Sequence, residues 1–154
     1  MVYYISKKID ISFHAALDRV KEELKKEGFG VLTEIDVRDT LKKKLDVEFR
    51  NYRILGACNP PFAYKALQAE EKIGLLLPCN VIVQERADGT VDVAAIDPAA
   101  SMQTAGNPAL SDIAAEVREK LQNVIARLCK QHVSRVLRAR ADISMLDSGA
   151  QFSL

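Results

Sequence analysis

Cys58 and Cys79 are the residues whose type and setting best suit chemistry in this chain. Each stands beside proline, the first in Ala57-Cys58-Asn59-Pro60-Pro61 and the second in Leu76-Leu77-Pro78-Cys79-Asn80. At the mouth of a helix, the partial positive charge of unpaired backbone amides favours a thiolate and lowers a cysteine's pKa. Pro60 and Pro61 carry no amide hydrogen, so the lowering expected at Cys58 is weakened. The two cysteines lie 21 positions apart (58 to 79), which is not the Cys-x-x-Cys spacing of a redox motif or zinc knuckle. Free cysteine is also among the most buried residue types. A reversible disulfide, a thiolate metal site, a reactive nucleophile and two ordinary buried thiols therefore all stay open as readings.

Other chemistry finds little support. His14 and His132 have no partner at ligand spacing, and no acidic cluster joins them, so no metal site is expected. No nucleophile elbow supports a Ser/His/Asp arrangement, and the glycines are scattered rather than gathered into a phosphate-binding loop. Glu70-Glu71 reads as a solvated helix flank, and Lys42-Lys43-Lys44 as a solvated helix face. No catalytic residue and no cofactor is expected.

The elements that would position the cysteines follow from periodicity. Residues 2–11 alternate loosely as an opening strand, and the Ser12 hydroxyl suits a helix cap. Phe13, Ala16, Leu17, Val20 and Leu24 then form one helical stripe that stops at Gly28. A strand over 29–37 and a short helix over 38–45 follow, and a third strand over 50–57 runs into Cys58. Asn59 suits an N-cap and Pro60 the first helical position, which predicts a helix over 60–73 with Phe62, Ala66, Leu67 and Ile73 inward. Asp88-Gly89 marks a tight turn between strands over 80–86 and 91–96. Residues 97–108 read as a loop, and a long last helix opens near Asn107 or Ser111. This order, β-α-β-(short α)-β-α-β-β-α, predicts an α+β domain with an antiparallel sheet and helices on one face.

A chain of 154 residues fits one domain, and 48% hydrophobic residues supply a core without disulfides or metal. The 22 basic and 21 acidic residues nearly cancel, and aromatic residues make up only 6% with no Trp. Neither a basic footprint nor a base-stacking platform is present, so no nucleic-acid partner is expected. No apolar run is long enough to span a bilayer, and no leader pattern precedes the first strand. With three cysteines and no disulfide framework, the expectation is a cytoplasmic protein that does not engage a membrane.

Three stretches carry a family likeness: Gly28-Phe29-Gly30-Val31-Leu32-Thr33-Glu34-Ile35-Asp36-Val37, Tyr52-Arg53-Ile54-Leu55-Gly56-Ala57-Cys58-Asn59-Pro60 and Leu76-Leu77-Pro78-Cys79-Asn80-Val81. From about Ile5 to Leu128 the sequence resembles the bacterial and archaeal family known as domain of unknown function 302. The resemblance implies a fold similar to the TATA-box-binding-protein-like class, and it maps the family motif onto Cys58, Asn59, Pro60, Pro78 and Cys79. It transfers no activity. It sets residues 1–129 as one family domain and 130–154 as a C-terminal helical extension and tail.

The sequence as a whole predicts a small non-catalytic module that binds a small-molecule ligand or a partner near the Cys58/Cys79 end of its sheet. A homodimer is expected, because Leu128, Val133, Val136 and Leu137 continue an apolar stripe past the expected domain end, beside Arg127, Lys130, Arg135, Arg138 and Arg140. Two alternatives stand beside it: a thiol redox or metal-responsive protein using Cys58 and Cys79, and an assembly protein acting through the long last helix.

Overall fold

The structure is a computed structural model that describes residues 2–128. Five strands, β1 (Tyr4–Ile9), β2 (Gly30–Asp36), β3 (Tyr52–Cys58), β4 (Cys79–Glu85) and β5 (Val91–Ile96), form one sheet in the order β1-β5-β4-β3-β2. Every neighbouring pair is antiparallel, which confirms the α+β reading with its antiparallel sheet. Consecutive strands β1 and β2 occupy opposite edges, so helix α1 (Phe13–Lys26) must cross the whole sheet between them. Its fourteen residues span roughly 21 Å, close to the roughly 19 Å of four strand spacings.

Ser12 caps α1 as expected, its hydroxyl accepting from the Ala15 amide at 3.2 Å. The stripe Phe13, Ala16, Leu17, Val20 and Leu24 is buried, and Gly28 takes the left-handed turn at φ +85°. These side chains meet Leu55, Ala57, Cys79, Val81, Val83, Val91, Val93 and Ala95 from one face of the sheet. Helix α5 (Ser111–Arg127) closes the same core with Val117, Leu121, Val124 and Ile125. The hairpin also forms as read: Thr90 donates from its amide and its hydroxyl to Asp88 Oδ1, at 2.9 and 2.6 Å, around Gly89 at φ +81°.

Two connections differ from expectation. Helix α3 (Pro60–Ala69) stops short of residue 73 because Glu70 turns extended, and a 3-10 segment (Glu71–Leu76) replaces its last turn. Ile73 is buried as expected, but Leu67 is 47% exposed rather than inward. The stretch expected as a loop over 97–108 contains helix α4 (Pro98–Met102) and two 3-10 turns (Gln103–Ala105, Pro108–Leu110). Asp97 caps α4 by accepting from the Ala99 amide at 2.9 Å, with Pro98 in the first turn where a missing amide costs nothing. Ile73, Met102, Leu110, Ala66 and Ala114 form a second small core there, beneath the cysteine end of the sheet.

Helix α2 (Val37–Leu45) forms as predicted and buries no side chain. Two cations of its lysine run are paired locally, Lys43 with Asp39 at 2.7 Å and Lys42 with both Asp46 and Glu48 at 2.8 Å. The expected helical extension beyond Leu128, with His132, lies outside the described residues. No described helix is long and apolar enough to cross a membrane.

Candidate functional site

The five motif residues meet at one corner, where β3 ends, α3 begins and β4 starts. Register places Ala57 opposite Cys79, Gly56 opposite Asn80 and Cys58 opposite Gly30. Alternation then points Ala57 and Cys79 into the core and Gly56 toward the other face, while Cys58, the last residue of β3, lines the same small void as Cys79. Gly56 is required by its neighbours. A Cβ there would collide with Thr33 Oγ1 across the β2–β3 pair and come within 2.8 Å of Pro78 Cγ. Pro78, which follows a cis peptide bond from Leu77, thus packs directly over the Gly56 backbone.

Asn59 occupies the N-cap position of α3, and Pro60 the first turn, as the sequence suggested. Its side chain, however, makes no cap. It is buried, and Nδ2 donates at 3.1 Å to the carbonyl of Glu27, the residue that ends α1. The reason lies in Pro60 and Pro61, which leave the first turn of α3 short of amides to cap, while the last carbonyls of α1 need a donor. A Cβ on Gly28 would stand 3.2 Å from that same Nδ2, so the left-handed glycine also leaves room for Asn59. The motif therefore ties the end of α1 and strands β2, β3 and β4 to one another.

The thiols are free, Cys58 half-buried and Cys79 buried. Burial pushes the Cys79 thiol up to about 11, with the neighbouring Cys58 adding to the rise. Cys58 is also raised, by burial, and this reverses the lowering expected at a helix mouth. Both are neutral thiols near pH 7, poor nucleophiles and poor metal ligands as they stand. Phe29, Phe62, Ala66, Met102 and Val117 close in around them and leave a void of about 20 Å³. That is about the room of one water molecule, in apolar surroundings.

A larger concavity among the described residues lies elsewhere, on the face of the sheet turned away from α1 and α5. It is a groove of about 570 Å³. Register aligns its floor in rows across the strands, Ser6, Ala94 and Ile82 in one, continued beyond the groove by Ile54 and Ile35, and Lys8, Asp92, Gln84 and Tyr52 in the next. Tyr3, Tyr4 and Ile96 line the opposite end. Ile82, Ile54, Ala94 and Ile96 stay partly exposed, and Ile35 and Tyr4 are open to solvent at 47% and 44%.

The family profile of Domain of unknown function DUF302 matches residues 5–128, the whole of this fold. The chain belongs to that family. One solved DUF302 structure, an uncharacterized conserved protein from Bacillus stearothermophilus, superposes with a TM-score of 0.78 at 29% identity, over 83% of this chain and 99% of that one. No curated protein matches closely enough to count as a relative.

The DUF302 fold also holds a charge cluster that periodicity did not reveal. Glu23 of α1 is 1% exposed, and its carboxylate accepts from Lys26 Nζ at 2.8 Å and Arg127 Nε at 2.7 Å, with Arg19 at 3.2 Å. Burial acts to raise its pKa, but the hydrogen bonds from Lys26 and Arg127 and the charges of Lys26 and Arg19 outweigh it and hold the carboxyl below its usual value. Arg19 also donates to the Arg127 carbonyl at 3.0 Å, and Lys7 to the Ala126 carbonyl at 3.1 Å, satisfying the end of α5. The spacings Arg19 to Glu23 and Glu23 to Lys26 signal helical ion pairs in the sequence. Nothing local signals that Arg127 buries them. Among the described residues no three His, Cys, Asp or Glu side chains are grouped to hold a metal ion.

Proposed function

We propose that this DUF302 protein is a non-catalytic binding module whose working surface is the face of its sheet turned away from α1 and α5, and that the Cys58/Cys79 corner is the clamp that fixes that surface. The observation carrying this reading is the contrast between the two places. The groove on the sheet offers about 570 Å³ over apolar floor residues, within the range of ligand sites, while the cysteine corner encloses about 20 Å³. This moves the binding site from the corner toward which Cys58, Asn59, Pro60, Pro78 and Cys79 pointed onto the adjoining face. The sheet order β1-β5-β4-β3-β2 with its long helices on one side supports the TATA-box-binding-protein-like arrangement that the resemblance implies. In such a two-layer domain the second face is what remains for recognition.

The test is a fragment screen on uniformly labelled protein read by amide chemical shifts. Binding fragments are expected to move the outward residues Ser6, Ile82, Ala94 and Ile96, and the response should vanish in Ile82→Glu. Shifts centred on Cys58, Phe62 and Cys79 instead would return the site to the corner and sink this reading. The homodimer expected from the C-terminal extension rests on residues outside those described, and sedimentation of the full chain decides it.

A further inference from the structure

We infer that the groove on the open face takes amphipathic anions, molecules with an apolar body and a carboxylate or similar charged end. This rests on the open face being the binding surface and adds the chemistry of what it binds. The groove is polarised along the strands. Ile82, Ala94 and Ile96, with the polar Ser6 and Asn80 among them, form its floor with Tyr3 and Tyr4 at one end, and Lys8, Gln84, Arg86 and Asp92 gather at the other. From the row of Tyr4 to the row of Lys8 is about 13 Å at strand rise, room for an extended acyl chain or a pair of fused rings.

The charged end holds more cations than acids. Arg50, in the segment before β3, lays its guanidinium against Phe49 and Tyr52, 4.5 and 5.4 Å from the ring centres. Both Nε and one terminal nitrogen donate to the same neutral oxygen, Gln84 Oε1, at 3.0 and 2.9 Å. Elsewhere in the fold Arg19, Arg53, Arg118 and Arg127 each reach a carboxylate. Arg50 is fixed in place with no direct carboxylate contact among the described residues, and most of its five N–H donors are unused by Gln84. Gln84 is itself 8% exposed, and its orientation is set because Nε2 donates to Asp92 Oδ2 at 3.0 Å. Lys8 and Arg86 form no close ion pair among the described residues, although both charges act on the nearby Asp88, whose carboxylate accepts from Thr90. Lys8 and Arg86 in the lining, with Arg50 bonded to the lining residue Gln84, therefore outnumber the two acids Asp92 and Asp88 at one end of the groove, and leave a net positive charge there. That arrangement selects a ligand that brings its own negative charge.

The experiment compares dodecanoate, dodecylammonium and dodecanol on the full chain, each below its micelle-forming concentration, with amide shifts reporting both affinity and place. Dodecanoate is expected to bind about tenfold or more tightly than the other two, the factor that one charge-assisted hydrogen bond supplies. Its shifts should map to Tyr52, Ile82 and Ala94, and Arg50→Gln and Lys8→Gln should each weaken it several-fold. Lys8 is exposed, so its variant keeps the test alive if Arg50→Gln unfolds. Equal binding of all three on this face would overturn the anion inference and leave the binding surface standing. A dimer that Ile82→Glu splits would do the same, with a second copy as the occupant. Binding of none of them to this face, with fragments also finding other surfaces, would remove both.

Discussion

Replacing Gly56 by alanine separates two physical effects of opposite sign. Gly56 has ordinary strand backbone rather than a left-handed φ, so the added methyl would, in open space, stabilise the protein by about 0.4–1 kcal/mol through the unfolded chain. The space is not open. The new Cβ collides with Thr33 Oγ1 and comes within 2.8 Å of Pro78 Cγ. Thr33 lies on an exposed edge strand and can turn away, but the Pro78 ring is rigid and must move with its backbone. Overpacking of this kind costs about 1–3 kcal/mol, so the net expectation is a loss of about 1–2 kcal/mol. For a chain of this length that corresponds to a fall in Tm of roughly 2–8 °C. Gly30→Ala is the internal control, because Gly30 pairs with Cys58 on the same corner yet a Cβ there meets nothing within 4 Å. It should be neutral or slightly stabilising. Urea denaturation followed by circular dichroism reads both, with an unchanged slope showing that only stability moved. Adding Thr33→Ala to Gly56→Ala should recover part of the loss and leave the share due to Pro78. If Gly56→Ala proves as stable as Gly30→Ala, Pro78 does not clamp the strand and the structural reading of the motif fails.

Two other expectations concern titratable groups. Glu23→Gln should cost about 1.5–3 kcal/mol, the worth of hydrogen bonds to a charged group, since Lys26 and Arg127 can still reach water when the carboxylate is lost. Because the folded carboxyl lies below its usual value, its contribution is full above the unfolded pKa near 4.3 and fades as pH falls through the folded one. The stability gap between wild type and Glu23→Gln, from urea curves at several pH values, should therefore narrow on acidification below about pH 4.5 and stay constant above pH 6; a gap that widens in acid contradicts the assignment. For the thiols, a pKa of about 11 leaves roughly one Cys79 in four thousand ionised at pH 7.4. In a Cys129→Ser background, a disulfide reagent should titrate Cys79 only after denaturant is added and Cys58 more slowly than a free thiol. Rapid reaction of either in the native protein would revive thiol chemistry at this corner.

How much of this was legible in the residues depends on the distance over which each feature is decided. Helix α1, the β4–β5 hairpin and the mixed α+β order were readable because stripe, cap and turn signals sit within a few positions of one another. The apolar spacing of helix α3 continues to Ile73, while the break comes from a single extended residue, Glu70. Asp97-Pro98 carries the same signal that opens α3 at Asn59-Pro60, but the Ala, Ser and Gly around it are equally the composition of a loop. Asn59 shows the subtler limit. Its position was legible and its partner was not, because the Glu27 carbonyl is 32 residues away in sequence. Glu23 and Arg127, 104 residues apart, are further still beyond any local pattern.

The same distinction bears on where function lies. The letters that stand out in this sequence, Gly56-Ala57-Cys58-Asn59-Pro60 and Leu77-Pro78-Cys79, meet at one closely packed corner. Glycine leaves room for Thr33 and Pro78, asparagine reaches a stranded carbonyl, and Cys79 fills the core as a small apolar residue. Distinctiveness here reports close packing, which needs no ligand. The open face is built of ordinary residues at ordinary strand spacing, and nothing in Ser6, Ile54, Ile82, Gln84 or Ala94 catches attention singly. They become a surface only when the register places Ile35, Ile54, Ile82 and Ala94 side by side and sets Gln84 beneath Arg50. A module of this kind hides its binding face in the pairing of its strands and displays its scaffold in its motif. Variants at Ile82 should therefore alter binding with little effect on the fold, and variants at Gly56 the reverse.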